Sequence, residues 1–153
     1  MQPWAIIAQK GGQSKTTIAT AFAVEAAREG AAVVILDADD RQGSALYWSE
    51  RRDTDDVMVK DSSVAGLPLH VSRGRESGKL DLIIIDTPAN SKDIAMLAAE
   101  QADFVVIPVA PRGLDVHSVL QTVKQVQQAG TPFAVVLSDT AGRPWRAGQT
   151  DFA

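Results

Sequence analysis

Residues 9 to 17 read Gln9-Lys10-Gly11-Gly12-Gln13-Ser14-Lys15-Thr16-Thr17, QKGGQSKTT. The general phosphate-binding loop is G-x-x-x-x-G-K-[ST]. With Lys15 as its lysine, the two glycine positions hold Gln9 and Ser14. The stretch therefore departs from the general pattern, yet it keeps useful chemistry. Gly11 and Gly12 let the backbone approach an anion closely and take positive φ. Successive backbone N–H groups can form an anion-binding nest, and a following helix adds partial positive charge at its N-terminus. Lys15 would reach the β- and γ-phosphate oxygens, and Thr16 would offer its hydroxyl to Mg²⁺. The same residues also describe a glycine-rich strand–helix turn with a solvated lysine, so the flanking segments have to decide.

Those segments alternate between short apolar runs and amphipathic stretches. Trp4–Ala8 (WAIIA) reads as a buried strand, and Lys15–Glu29 as a helix ended by Gly30. Val33–Asp37 (VVILD) reads as a second buried strand, and residues 42–52 as a helix. Residues 53–66 are polar, acidic and without a clear period. Leu67–Val71 reads as a short strand, and Arg73–Lys79 as a charged turn. Leu80–Asp86 (LDLIIID) is the clearest strand, followed by a helix over 91–101 with Ser91 as its cap. Phe104–Val109 reads as a strand. Val116, Val119, Leu120, Val123 and Val126 share one helical face, Gly130 ends that helix, and Phe133–Leu137 is a further strand. Residues 138–153 show no periodicity and read as an irregular tail. Val/Ile runs flanked by helices imply a mostly parallel sheet covered on both faces, a three-layer α/β fold. Ligands of such sheets bind at the carboxyl ends of the strands. QKGGQSKTT comes after a strand and opens a helix, as a phosphate loop must.

Two further motifs lie at strand ends. Asp86 closes the apolar run LIIID and precedes Thr87-Pro88, where a carboxylate can hold Mg²⁺ through a water near Thr16. A strand-end aspartate can equally cap the next turn. Asp37 and Asp39 close VVILDAD, where an aspartate could orient an attacking water or stand in a solvated acidic turn. The strand–loop–helix and strand–Asp elements argue more strongly together than either does alone.

Composition narrows the class. The chain has 153 residues, 45% of them apolar, which predicts one domain with one packed core. The formal net charge of −4 argues against a globally basic nucleic-acid binder. There is no cysteine, which excludes disulfides, thiolate metal sites and cysteine-held iron–sulfur clusters in this sequence and agrees with a cytoplasmic location. The start, MQPWAIIAQKGG, lacks a charged region followed by a long apolar stretch, so no signal peptide is expected. No apolar run approaches the ~20 residues of a membrane span.

With these residues in view, Lys10-Gly11-Gly12-x-x-Lys15-Thr16-Thr17 resembles the deviant Walker A motif, KGGxxK[ST], of ParA/MinD-type P-loop ATPases. Asp37-x-Asp39 with Gln42-Gly43-Ser44 and Trp48 is similar to the switch I region of ParA proteins. Asp86-Thr87-Pro88-Ala89 is similar to their Walker B and switch II segment. Residues 102–109, Pro111 and Leu114-Asp115 are similar to the next strand and turn. The likeness is collinear from residue 4 to about 137. It implies a P-loop NTPase fold and hydrolysis of Mg-ATP as a dimerisation switch in plasmid or chromosome partition. It further implies an ATP-dependent homodimer, a ParB-like centromere-binding adaptor and non-specific DNA as a further partner. MinD-like membrane attachment needs a C-terminal amphipathic helix, and the tail shows none, so no membrane partner is expected. The location implied is cytoplasmic, with association with the nucleoid. By the same resemblance Lys10 reaches the partner subunit's ATP, Lys15 contacts phosphates in its own subunit and Asp39 positions water, these three being the catalytic candidates. Gly11, Gly12, Gln13, Ser14, Lys15, Thr16 and Thr17 form the nucleotide loop. Thr16 binds the metal, Asp86 supports it through water, and Asp39 is a further metal candidate.

The sequence departs from the family at three places. Ser14 stands where glycine is usual. Asp39-Asp40-Arg41-Gln42 carries one residue more than the Asp-Pro-Gln of many relatives. The sequence ends where relatives continue with a strand and helices, and Arg143 and Arg146 are its only late basic residues. Two other readings stay open: a truncated regulatory module that binds nucleotide without hydrolysing it, and a P-loop kinase or ligase acting on a small substrate.

Overall fold

A computed structural model describes residues 1–39, 42–110 and 116–138. Six strands form one sheet: β1 Gln2–Ile6, β2 Val33–Asp37, β3 Val57–Asp61, β4 Leu82–Asp86, β5 Phe104–Val109 and β6 Phe133–Leu137. Their order is β3-β2-β4-β1-β5-β6 and every pairing is parallel. Five helices connect or flank them: α1 Lys15–Arg28, α2 Ser44–Ser49, α3 Leu67–Ser77, α4 Lys92–Gln101 and α5 Val116–Ala129. The three-layer α/β arrangement expected from the Val/Ile runs is present. No described helix is long and apolar enough to cross a membrane.

The pleat sorts the strand side chains between two apolar layers. On one face Ile6, Val33, Ile35, Ile84 and Val106 pack with Ala19 and Ala23 of α1 and Ala45 of α2. On the other, Ala5, Val34, Leu36, Ile83, Ile85, Val105 and Ile107 pack with residues of α3, α4 and α5. Helices α1, α2 and α4 meet the sheet largely through alanine, so they sit close to it. At Gly74 an added Cβ would lie 2.5 Å from Cδ1 of Ile83, which shows how tightly α3 is seated.

Two local readings are corrected. Leu67–Val71 is not a strand, and Arg73–Lys79 is not a turn down to residue 77; both belong to α3. Pro68 is tolerated in the first helical turn because its missing N–H would have no partner there. Leu67, Val71 and Gly74 are buried at spacings of four and three, the helical period. Gly78, at φ 61°, closes the helix in the left-handed region. The missing edge strand is Val57–Asp61, inside the polar segment that showed no period. Val57 and Val59 pack on one layer while Met58, Lys60 and Asp61 are exposed. Ser91 does stand at the N-cap of α4, but its side chain makes no capping bond. The tail from residue 139 onward, with Arg143, Pro144, Trp145 and Arg146, lies outside the described residues. So do Asp40, Arg41, Pro111, Leu114 and Asp115.

Ile84 is fully buried at the centre of the sheet, between β1 and β2. Ile84→Ala is expected to lower unfolding free energy by about 2–5 kcal/mol, read as a fall in the urea midpoint at unchanged m-value.

Candidate functional site

Parallel pairing sets the site. Ile6 is in register with Asp86, and Asp86 with Asp37. The ends of β1, β4 and β2 are therefore level, and the segments leaving these strands gather at one sheet edge.

After β1 the chain turns through Lys10–Ser14 into α1. Gly12 has φ 75° and Ser14 φ 61°, ψ 30°. Ser14 is thus a serine in a conformation that costs an L-residue about 1–2 kcal/mol and glycine almost nothing. No side chain caps α1, which leaves the amides of its first turn facing the loop as anion donors. Gly11 passes close to the segment after β4: a Cβ there would stand 3.9 Å from Cβ of Ala89. Lys10, Gly11, Gly12 and Thr17 are exposed, while Gln13, Ser14, Lys15 and Thr16 are half-buried.

The loop is braced from three sides by residues whose roles no short motif reveals. Oε1 of Gln13 accepts from the Ala110 amide (2.6 Å), and the Gln13 carbonyl accepts from Ser138 Oγ (3.3 Å). The Gln13 side chain is thereby committed to the end of β5. The Gln9 carbonyl accepts from the Asn90 amide (2.9 Å), and Gln9 Nε2 donates to Gln125 of α5. Thr87 Oγ1 donates to the Ile6 carbonyl (2.7 Å).

At the centre, Thr16 Oγ1 donates to Asp86 Oδ2 at 2.6 Å. Asp86 is 2% exposed, and its Oδ1 has no partner among the described residues. Burial raises its pKa to about 7, against the hydrogen bond from Thr16; nearby Asp37 adds to the rise and Lys15 opposes it. Burial likewise lowers the Lys15 pKa, while Asp86 and Asp39 pull it back up. An acid and a base are thus held close in a partly dry site, neither with its full charge balanced by the protein. An orphaned carboxylate oxygen beside a threonine hydroxyl fits a hydrated Mg²⁺, which takes one or two oxygen ligands from protein. No group of three or more acidic, His or Cys side chains could cage a metal among the described residues.

The two aspartates after β2 separate by environment. Asp37 is 1% exposed; Oδ1 accepts from the Asp39 amide (3.1 Å) and Oδ2 from those of Ala45 (2.9 Å) and Leu46 (3.3 Å). It is occupied in holding Asp39 and the start of α2, although burial still raises its pKa. Asp39 is half-buried and lines an open cleft of ≈490 Å³ with Gln42, Pro88, Ala89 and Asn90. Of the pair, Asp39 is the carboxylate exposed to a bound molecule.

A model of the CobQ/CobB/MinD/ParA nucleotide-binding domain matches residues 4–144. The chain belongs to this family. It is 36% identical over 137 residues to a maintenance of carboxysome distribution protein A from Gloeobacter kilaueensis, covering 88% of this chain and 61% of that protein. The chain thus spans about three-fifths of the length of that relative. Among solved structures it is similar to the nucleotide-binding protein in complex with ADP from Archaeoglobus fulgidus. There the identity is 26% and the TM-score 0.65, covering 89% of this chain and 65% of that one. It also shares its fold with the MinD cell division protein of Aquifex aeolicus at TM-score 0.74 and 20% identity, over 90% of this chain and 69% of that one.

Two measurements test this geometry. Ser14→Gly is expected to raise stability by about 1 kcal/mol by releasing the left-handed serine, seen as a higher urea midpoint; an unchanged or lower midpoint refutes the strain. Asp86 binds its proton more tightly folded than unfolded. Its contribution to stability is therefore fully present below about pH 4 and lost as pH rises toward 7, an effect on the order of a few kcal/mol. Stability of the nucleotide-free protein should fall across that window, and Asp86→Asn should remove much of the slope.

Proposed function

We propose that this chain carries the nucleotide switch of a ParA-like ATPase, binding and hydrolysing Mg-ATP in a homodimer. The observation that carries the reading is the Thr16–Asp86 hydrogen bond beside Lys15, at the mouth of an uncapped helix. It supports a site suited to a polyanion together with a divalent cation. The structure solved with ADP for a 26% identical protein supports the same ligand class here.

In this proposal the loop amides of Gly11 to Thr17 hold the phosphates, and the Lys15 ammonium neutralises charge on their β and γ oxygens. The unfavourable burial of Lys15 is offset once a polyanion is present. Thr16 and Asp86 would hold Mg²⁺, which supplies further charge neutralisation when bound with the nucleotide. Asp39 stands at the cleft with its Oδ1 accepting from the Gln42 amide (3.3 Å), and it accepts a further hydrogen bond from the attacking water and aims it in line. Lys10 is exposed at the loop's entrance and points the proposal toward a dimer, in which it reaches the phosphates of the partner's ATP. A charge supplied by the partner makes dimer stability depend on the γ-phosphate, so hydrolysis releases the dimer.

The work of such a switch is to distribute a cargo. The loop motif suggests plasmid or chromosome partition with a ParB-like adaptor and non-specific DNA. The name of the 36% identical relative favours carboxysome distribution as a second reading.

ATP binding, turnover and dimerisation of wild type, Lys10→Ala and Lys15→Ala test the proposal together. Lys15→Ala should lose about 100-fold or more in turnover, as with removal of one charge-stabilising donor. Lys10→Ala should still bind ATP but neither dimerise nor hydrolyse it. The switch fails if wild type does not bind ATP, and the role of Lys10 fails if its alanine variant behaves as wild type.

A further inference from the structure

Away from the phosphate loop, a groove of ≈210 Å³ lies between the β3 edge of the sheet and α3. It arises from the fold. Among the described residues β3 pairs only with β2, and α3 is seated on Ile83 through Gly74, so the groove runs along the flank of α3 beside Val34 and Leu36, which are already largely covered. Val34, Leu36, Leu80 and Ile83 form an apolar floor. Met58 stands at the margin, 63% exposed.

The rim is chemically one-sided. Lys60, His70 and Arg73 line it and no acidic side chain does. Among the described residues neither Lys60 nor Arg73 makes an ion pair, whereas Arg28, Arg52 and Arg75 each do. His70 is held in place by Ser62, whose Oγ lies 2.9 Å from Nδ1. Solvated lysines are common on any surface. Asp61 lies near His70, but it does not line the groove, and a concave apolar floor lined by Lys60 and Arg73 is the composition of a small-ligand site.

We propose that this groove binds a small organic anion: an apolar body against Met58 and Leu80, above the buried Val34, Leu36 and Ile83, with one carboxylate between Lys60 and Arg73. The volume holds on the order of seven to ten non-hydrogen atoms, so affinity should fall between about millimolar and micromolar. Nucleotide does not fit, because the groove has no glycine loop or free helix N-terminus and its floor is apolar.

The methionines make the test direct, since the chain has three: Met58 at the groove, Met96 between α4 and α5, and Met1. The full chain, labelled at its methionine methyls, is titrated by NMR with benzoate and with the neutral benzamide, Met58→Leu assigning the key signal. The expected result is a saturable shift of the Met58 methyl alone, with the acid bound about tenfold or more tightly than the amide. Lys60→Gln/Arg73→Gln should weaken the acid by about tenfold or more and leave the unfolding midpoint unchanged, because both residues are exposed. The proposal is overturned if Met58 does not move by about 10 mM acid, if acid and amide bind equally, or if the double variant binds as wild type.

Discussion

The hydrogen bond from Thr16 to Asp86 joins the first turn of α1 to the end of β4, and the site is organised around it. It can form only because β1 and β4 run parallel and in register, so that the helix after one strand begins beside the last residue of the other. The bond leaves Asp86 half satisfied: one oxygen is held and the other has no partner among the described residues, within a carboxyl almost wholly removed from water. An unpaired buried polar atom costs about 1–3 kcal/mol. A cation or hydrogen-bond donor reaching Asp86 would relieve that cost.

The neighbouring carboxylate shows the contrast. Asp37 is as deeply buried as Asp86 but accepts three backbone amides. It acts as a structural clamp that fixes the turn carrying Asp39. Two aspartates at adjacent strand ends thus have opposite tasks, separated by how many donors each one meets. The burial of Lys15 belongs to the same design. Its ammonium is held partly desolvated with Asp86 and Asp39 as its counter-charges.

Much of this was legible in the residues. Apolar runs such as LIIID and VVILD located five of the six strands, because strands buried on both faces need no polar alternation. The edge strand β3 escaped because three of its five residues face water, and α3 was misread because Pro68 and the apolar LPLHV imitate a strand end. The loop motif singled out Lys15 and Thr16, and the strand-end run LIIID singled out Asp86. It said nothing of Gln13 gripping Ala110, of Gln9 joining Asn90 to α5, or of Thr87 tied to Ile6. Those bonds link residues far apart in the chain, and no local spacing encodes them.

The class of fold, the family and the place of the glycine-lysine loop between β1 and α1 are all written in the order of the residues. Glycine placement, apolar period and charge are local properties of a chain. Three features came from the folded chain alone: Ser14 occupies a left-handed backbone, Asp37 is a clamp while Asp39 stays open, and Asp86 keeps one oxygen unpaired. Each of these depends on strand register and burial, and a carboxylate's role is set by the donors and the water around it rather than by its position in the chain.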